Sequence, residues 1–237
     1  MDLKELGLLG GDEGNHWYYA SKARALQQCL VDRQAGKILD VGAGSGFFSK
    51  MLLRETSAKS AVCVDPGYAK DWSESDAGKP ITFRRAGPVG DADVVLLMDV
   101  LEHVDDDVGL LREYAEPARS GTRFIVSVPA FSWLWSGHDE FLEHRRRYTL
   151  KQTLRVMSDA GLTPVTGFYF FAALFPAVAA NRLWRRLRAA GESPKSDLRA
   201  YHPLTNRLLT GICLAECAIA RHNRAFGVTA FGVAEKI

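Results

Sequence analysis

Short apolar runs alternate with helical patterns between about residues 37 and 170, and this alternation constrains the fold most strongly. Three of the runs, KILDVGA, VVLLMDV and RFIVSVP, are almost continuously apolar. Strands of that composition are covered by helices on both faces, as in parallel sheets. Alternating strands and helices are typical of crossover connections. The sequence therefore predicts an α/β fold with a doubly wound, mostly parallel sheet.

We expect seven strands, at residues 37–43, 61–65, 81–86, 94–100, 123–129, 164–170 and 227–236. A chain of 237 residues has the usual length of one α/β domain. We therefore expect a single domain over residues 1–237, with a helical insertion at 171–226 before the last strand.

The insertion begins with an apolar stretch and continues with basic residues. Residues 168–180 are mainly aromatic and aliphatic, and residues 181–188 read NRLWRRLR. The stretch is shorter than the roughly 20 residues that span a bilayer. Three interpretations stay open: peripheral contact with an anionic membrane, a homodimer interface, or a cover over a substrate pocket. Residues 208–219 are apolar on nearly every side, which predicts a buried helix.

A glycine-rich turn follows the first predicted strand in the segment ILDVGAGSGF, residues 38–47. Glycine lets the backbone turn sharply and approach a ligand closely. Asp65 ends the next predicted strand, 19 residues after Gly46 (65 − 46). A carboxylate at that place can accept hydrogen bonds from both hydroxyls of a ribose. The pattern predicts a nucleoside-containing ligand.

The glycine spacing distinguishes two ligand classes. The dinucleotide motif GxGxxG would place its third glycine at position 47, which is Phe47 here. Gly42, Gly44 and Gly46 instead follow a GxGxG pattern, with Asp40 two residues before the first glycine. This pattern resembles motif I of class I S-adenosylmethionine (SAM) dependent methyltransferases. The resemblance implies SAM as the cofactor and a Rossmann-like sheet of order 3-2-1-4-5-7-6, with the last strand antiparallel.

Segment 93–107, DVVLLMDVLEHVDDD, is similar to the fourth-strand motif of the same enzymes, in particular the methyltransferase type 11-like group. That similarity implies that Asp99, Val100 and Leu101 lie near the methionine end of SAM, with Glu102 and His103 just behind. For His103 two roles stay open, a catalytic base or a side chain that holds the loop.

Segment 15–24, NHWYYASKAR, resembles the aromatic opening helix of this group, which implies a helical lid at residues 1–35. The group's pattern is HWWF followed by arginine, and Lys22 stands near an expected arginine. Arg24 could bind the SAM carboxylate through two parallel hydrogen bonds. The complete expected cofactor set is Trp17, Tyr19, Arg24, Asp40, Gly42, Gly44, Gly46, Asp65, Pro66, Asp99, Val100 and Leu101.

The segment after the fifth predicted strand, residues 127–149, contains two tryptophans, two histidines and a run of three arginines. It is similar to a VPA…LWS.HD…GH.RRYT segment of one branch of the group, with Glu143 where relatives carry glycine. Ligands of doubly wound sheets bind beyond the carboxyl ends of the strands. The arginines at 145–147 could form a solvated face, bind an anionic acceptor, or pair internally with Glu140, Glu143 and nearby acids. The expected acceptor-binding residues are Trp133, Trp135, Arg146, Arg147 and Tyr148.

Methyl transfer to oxygen or nitrogen depends largely on holding donor and acceptor together, so a base is optional. Histidine titrates near neutral pH and can take a proton from the acceptor. We expect His138 in this role, with Asp139 as its orienting partner, and His144 is the alternative. A purely structural role for both histidines stays open.

Composition excludes several function classes. The formal net charge of +2 does not favour nucleic acid as a partner. The four cysteines form no CxxC pair, so we expect no metal site. The first residues lack the apolar run of a signal peptide, which indicates a cytoplasmic protein, with peripheral membrane association open.

The sequence thus predicts SAM-dependent methyl transfer to oxygen or nitrogen of a small-molecule or lipid-linked acceptor that is anionic or phenolic. The alternative is an inactive SAM-binding module that recruits a partner through the apolar segment 168–220.

Overall fold

The computed structural model describes residues 13–32, 35–187, 196–197 and 201–237. Parts of the expected lid and insertion, residues 1–12, 33–34, 188–195 and 198–200, lie outside the described residues. The strands are β1 Lys37–Val41, β2 Ser60–Val64, β3 Trp72–Asp76, β4 Lys79–Arg84, β5 Val94–Met98, β6 Arg123–Pro129, β7 Thr163–Phe170 and β8 Thr229–Glu235. The helices are α1 Trp17–Gln28, α2 Phe47–Glu55, α3 Asp107–Ala115, α4 Gly137–Phe141, α5 Leu150–Asp159, α6 Phe175–Leu187 and α7 Pro203–Ala220.

The strands form one mixed sheet in the order β3-β4-β2-β1-β5-β6-β8-β7. The pairs from β4 to β6 are parallel, and β8 is antiparallel to both of its neighbours. The predicted α/β class and the antiparallel last strand are confirmed. The prediction of seven strands, and with it the order 3-2-1-4-5-7-6, is wrong because an eighth strand lies at the edge.

The additional strand, β3, forms a hairpin with β4 at the edge of the sheet. Its sequence, WSESD, has no apolar face, and it is largely exposed. The hairpin turn uses Ala77 and Gly78, both with positive φ, as tight hairpins require. Trp72 stacks on Phe83 with ring centroids 4.3 Å apart. Cross-strand hydrogen bonds and one aromatic stack hold β3 in place. The strand contains no apolar run, so a search for apolar patterns did not detect it.

Helix α7 packs against α1 and is only partly buried. Cys213 and Cys217 lie in the core, as their shared helix face predicted, but Leu208 and Ile219 are exposed. The prediction of a buried helix over 208–219 is therefore wrong. The helix is apolar on all sides, but burial of its outer face would also need another element to pack on that face. Glu216 accepts hydrogen bonds from the backbone NH groups of residues 172 and 173, and so ties α7 to the end of β7.

Helix α1 is fixed to α7 at its start as well. The Asn206 side chain accepts a hydrogen bond from Trp17 N at 2.9 Å and donates one to Asn15 O at 2.6 Å. At the other end of α1, Arg123 at the start of β6 donates to Cys29 O at 2.9 Å, so α1 runs along the sheet from the strand ends to the strand starts. No helix within the described ranges is long and apolar enough to cross a membrane.

Candidate active site

The glycine turn joins β1 to α2 at the carboxyl end of the sheet. Gly42, Gly44 and Gly46 all have φ between 55° and 70°, a region that favours glycine. A Cβ on Gly42 would lie 2.6 Å from Val100, and one on Gly46 would lie 2.8 Å from Phe83. Conformation and close packing both require glycine at these two positions.

Asp65 follows β2 directly and lies beside the turn. Its carboxylate accepts hydrogen bonds from Gly44 N at 3.0 Å and from Gly67 N at 2.8 Å. Pro66 is exposed next to it. The Tyr68 hydroxyl donates to Gly44 O at 2.6 Å and holds the turn from the other side. Because a carboxylate has about four acceptor positions, Asp65 can still accept bonds from a ligand on the turn.

Asp40 lies beneath the turn and supports it. Its side chain is buried and accepts a hydrogen bond from Ser49 Oγ at 2.8 Å, which links β1 to α2. Burial raises the pKa of Asp40 to about 6. The structure therefore places Asp40 in the support of the turn, in which Gly44 and Gly46 are buried and Gly42 is half-buried.

Asp99 is half-buried and forms an ion pair with the fully buried Lys22 of α1. Lys22 is fully buried and also lies 3.2 Å from the Tyr18 hydroxyl, while Ser127 Oγ donates to Asp99 at 3.2 Å. Burial alone would raise the pKa of Asp99, but Lys22 holds it below the usual range. Asp99 has φ 57°, so the chain turns sharply just after β5.

Arg24, expected at the SAM carboxylate, is exposed and donates to Gln27 Oε1 at 2.8 Å. Lys22 is the α1 cation that reaches the strand ends. The helical phase explains the difference. Lys22 is four residues from Tyr18 and shares its face, whereas a residue two positions further points elsewhere.

A cavity of about 510 Å³ lies between α1, the strand ends, the 127–149 segment and α6. That volume is in the usual range for small-molecule sites. Among the expected cofactor residues, Trp17, Tyr19 and Asp99 line it. The indole Nε1 of Trp17, and Ser45 Oγ in the glycine turn, are buried without a hydrogen-bond partner in the described part of the chain. Buried polar atoms normally have partners, so both fit a site that receives a polar ligand.

Asp139 organises the acceptor segment. It completes a capping box with Ser136 at the start of α4. Its carboxylate lies 2.9 Å from His144 Nδ1 and accepts from Arg147 Nε at 2.7 Å and Nη2 at 3.0 Å. Burial would raise the pKa of Asp139, but the bonds from His144 and Arg147 hold it well below the usual range. The expected partnership of Asp139 with His138 is corrected, since its carboxylate contacts His144.

His138 lines the cavity with a different partner. Its Nδ1 accepts a hydrogen bond from Asp197 N at 3.1 Å. Burial lowers the pKa of His138 to about 4. Glu143, which stands where relatives carry glycine, has φ 59°. It therefore adopts the left-handed turn that glycine favours and directs the chain towards His144.

The arginine run pairs internally. Arg146 bonds to the Asp107 carboxylate at 3.3 Å, Arg145 lies 3.7 Å from Asp105, and Arg147 bonds to Asp139. These contacts match the internal-pairing interpretation, although the partners are aspartates and not Glu140 or Glu143.

The other expected acceptor residues occupy different places. The Tyr148 hydroxyl lies 2.8 Å from the Asp107 carboxylate, and Trp133 packs on Phe175 with ring centroids 5.6 Å apart. Trp135 is half-buried. Of the expected acceptor set, Arg147 lines the cavity, whereas Trp133, Trp135, Arg146 and Tyr148 do not.

Glu102 and His103 meet His144 at the cavity wall, with one polar atom of each within 4.8 Å of the others. Glu102 is fully buried, and neither carboxylate oxygen has a hydrogen-bond partner among the residues described. Burial raises the pKa of Glu102 well above its usual value. Sequence reasoning missed this cluster because His144 is 41 positions (144 − 103) from His103 in the chain. The place of α6 beside the cavity matches the open interpretation of residues 168–188 as a cover over a pocket, although no motif marks its individual cavity residues.

Comparison with known proteins identifies the family. Residues 15–166 match the family described as "Methyltransferase domain". An uncharacterized methyltransferase from Mycolicibacterium gilvum (strain PYR-GCK) is 28% identical over 185 residues, covering 70% of this chain and 66% of that protein. A ubiquinone biosynthesis O-methyltransferase from Xanthomonas axonopodis pv. citri (strain 306) is 25% identical over 107 residues, covering 41% of this chain and 45% of that protein. The chain thus spans about half to two thirds of the length of these curated relatives.

The fold has counterparts among solved structures. Phosphoethanolamine N-methyltransferase 2 from Haemonchus contortus, in complex with SAM, aligns with a TM-score of 0.54 at 14% identity, covering 100% of this chain and 60% of that one. At this identity the likeness is one of fold, and it confirms the Rossmann-like architecture. The family match covers 152 residues (166 − 15 + 1) of 237 and includes the glycine turn, Asp65 and Asp99. The chain therefore belongs to the methyltransferase domain family.

Proposed function

We propose that this chain transfers a methyl group from SAM to an oxygen or nitrogen of a small-molecule or lipid-linked acceptor that bears an anionic or phenolic group. The observation that carries the proposal is one cavity lined by Trp17, Tyr19 and Asp99 together with His144, whose Nδ1 lies 2.9 Å from the Asp139 carboxylate. Residues expected for the cofactor and residues expected for the chemistry thus border the same space.

The residues present fit SAM. The glycine turn, which carries no Cβ at positions 42, 44 and 46, would hold the adenosyl group close to its backbone. Asp65 offers acceptor positions for ribose hydroxyls, and Lys22, Asp99 and Trp17 supply charged and polar groups for the amino acid end. When bound, SAM supplies a methyl group on a positively charged sulfur.

The roles of the protein residues follow from their contacts. Asp139 is held as a carboxylate, so it accepts the Nδ1 proton of His144 and leaves the Nε2 lone pair available. The acceptor's lone pair forms the bond to the methyl carbon, the sulfur–methyl bond breaks, and its electron pair stays on sulfur. His144 takes the acceptor's proton at Nε2. The products are the methylated acceptor, S-adenosylhomocysteine and a protonated His144, which then returns its proton to the solvent.

Calorimetric titration with SAM, S-adenosylhomocysteine and NAD tests the cofactor. We expect binding of the first two, and a preference for NAD would contradict the proposal. Screening acceptors by the release of S-adenosylhomocysteine then tests the reaction. Cofactor binding with no release for any phenolic, carboxylic or amine acceptor would favour a binding module that lacks transferase activity.

Replacing Asp65 with asparagine is expected to weaken SAM binding about tenfold to hundredfold. The reason is the loss of charge-assisted hydrogen bonds to the ribose, worth about 1.5–3 kcal/mol. Titration calorimetry measures the change. Asp159→Asn, an exposed aspartate paired with Arg155 on α5, is the control and should bind SAM as the wild type does. Equal affinity for the two variants would remove Asp65 from the cofactor site.

Helix α6 supports peripheral membrane contact as the route to a lipid-linked acceptor. Leu183, Trp184 and Leu187 are each more than half exposed on it. Apolar side chains and tryptophan partition into the membrane interface. We expect the protein to co-sediment with phosphatidylglycerol vesicles and Leu183→Ser/Leu187→Ser to reduce that binding. If the protein does not bind the vesicles but self-associates, the result would instead favour the homodimer interface.

A further inference from the structure

One face of α6 borders the cavity, although this helix belongs to the insertion and not to the sheet. Its cavity residues are spaced by one, three and four positions, as one helix face requires: Ala177, Val178, Asn181, Arg182 and Arg185. The family match ends at residue 166, before this helix begins. Helix α6 is therefore the part of the cavity wall best placed to distinguish this chain's acceptor from those of other family members.

Arg182 is the notable member of this face. Arg182 is 7% exposed, and its Nη2 forms an ion pair with Asp197. Its Nε and Nη1 are buried and have no hydrogen-bond partner within the described ranges. Arginine stays charged at all accessible pH values and has five donor hydrogens. A buried guanidinium with unused donors is costly unless an acceptor binds it.

Two other cations near the cavity are balanced by protein carboxylates. Lys22 is paired with Asp99, and Arg147 is paired with Asp139 through two hydrogen bonds. Asp197, the partner of Arg182, has a side chain that is 41% exposed, so solvent weakens that pair. Among the described residues of the cavity wall, Arg182 is thus a buried cation whose guanidinium still has hydrogen-bond donors available for a ligand.

We propose that Arg182 binds an anionic group of the methyl acceptor, a carboxylate or a phosphate monoester. This inference rests on the proposed function and assigns its acceptor class. It moves acceptor recognition from the arginines of residues 145–147, which pair internally, to α6. The aromatic side chains Trp17, Tyr18 and Tyr201, which also line the cavity, suit an acceptor with an aromatic or other flat body.

Binding of three probes to the protein with S-adenosylhomocysteine present tests the proposal. The probes are 4-hydroxybenzoate, phenyl phosphate and 4-hydroxybenzamide, the last being a neutral counterpart of the first. We expect one of the two anions to bind at least tenfold more tightly than the amide, and the stronger anion identifies the acceptor group. Equal binding of amide and anions, or binding of none of the three, would overturn the proposal.

Variants locate the effect. Arg182→Met is expected to abolish the preference for the anion, and Arg182→Lys to retain part of it. Thermal unfolding is measured for both variants to establish that they are folded. Arg155→Met, an exposed arginine of α5, is the control and should keep the preference. An anion preference that survives in folded Arg182→Met would overturn the assignment. Titration of S-adenosylhomocysteine alone is read separately, so a lost cofactor site and a lost anion site are distinguishable.

Discussion

Replacing Asp139 with asparagine is expected to lower the free energy of unfolding by about 3–5 kcal/mol, because it leaves a buried arginine without its counter-ion. Asp139 is fully buried, and Arg147, its partner through two hydrogen bonds, is nearly so. The asparagine keeps the size of the side chain but can accept at one oxygen only. Denaturant unfolding followed by far-UV circular dichroism measures the change.

Two comparisons separate this effect from a general loss of charge. Asp159→Asn removes an exposed aspartate from its pair with Arg155 and should cost less than about 1 kcal/mol. Combining Asp139→Asn with Arg147→Met removes both buried charges and should recover much of the lost stability. A double variant as unstable as the single one would assign the cost to the capping box of α4 and not to the ion pair.

The same carboxyl gives a pH dependence of stability. Its pKa is lower in the folded protein than in the unfolded chain, where aspartate has a pKa of about 3.9. Its stabilising contribution is therefore complete above about pH 4 and is lost as the pH falls through the folded-state pKa. Below about pH 4 the wild type should lose stability more steeply than Asp139→Asn. Parallel curves for the two proteins would contradict this.

The sequence predicted the central sheet and the glycine turn because both depend on local patterns. The apolar runs of β1, β5 and β6 and the glycines at 42, 44 and 46 need little information from elsewhere in the chain. The polar strand β3 and the outer face of α7 were predicted wrongly. Their states depend on a partner strand and on a covering element, which a local pattern does not contain.

The cavity wall was harder to predict than the turn. A motif specifies residue types but not the directions in which their side chains point. The motif therefore predicted Arg24 as the cation of the cofactor site, whereas the structure brings Lys22 to Asp99. The arginines at 145–147 are a conspicuous run, yet aspartates from other segments take up their charge. Arg182, which has unused donors, stands in a helix without a recognisable motif.

Glu102 shows the same limitation at the scale of one side chain. The sequence placed it just behind the methionine end of SAM, but a carboxylate that is fully buried without a partner can be recognised only after folding. Its position beside His103 and His144 makes this part of the cavity wall more polar than the motif implied.

Replacing His144 with alanine is expected to reduce kcat for an ionisable acceptor by about 10²–10⁴-fold, the usual contribution of a positioned base. His138→Ala is the matched control from the same wall: burial holds the pKa of His138 at about 4, so this side chain is already neutral at neutral pH, and its Nδ1 accepts a backbone hydrogen bond. We expect His138→Ala to keep a rate within a few-fold of the wild type.

A chelator distinguishes the base from a bound metal ion in these measurements. The rate of the wild type should be the same with and without EDTA, because His144 acts on the acceptor directly in the proposed reaction. A rate that disappears with EDTA and returns with zinc would assign Glu102, His103 and His144 to a cation and contradict the base role. A normal rate for His144→Ala across pH 6–9 would show instead that the acceptor ionises in water and that the protein contributes only alignment with the sulfur-bound methyl group.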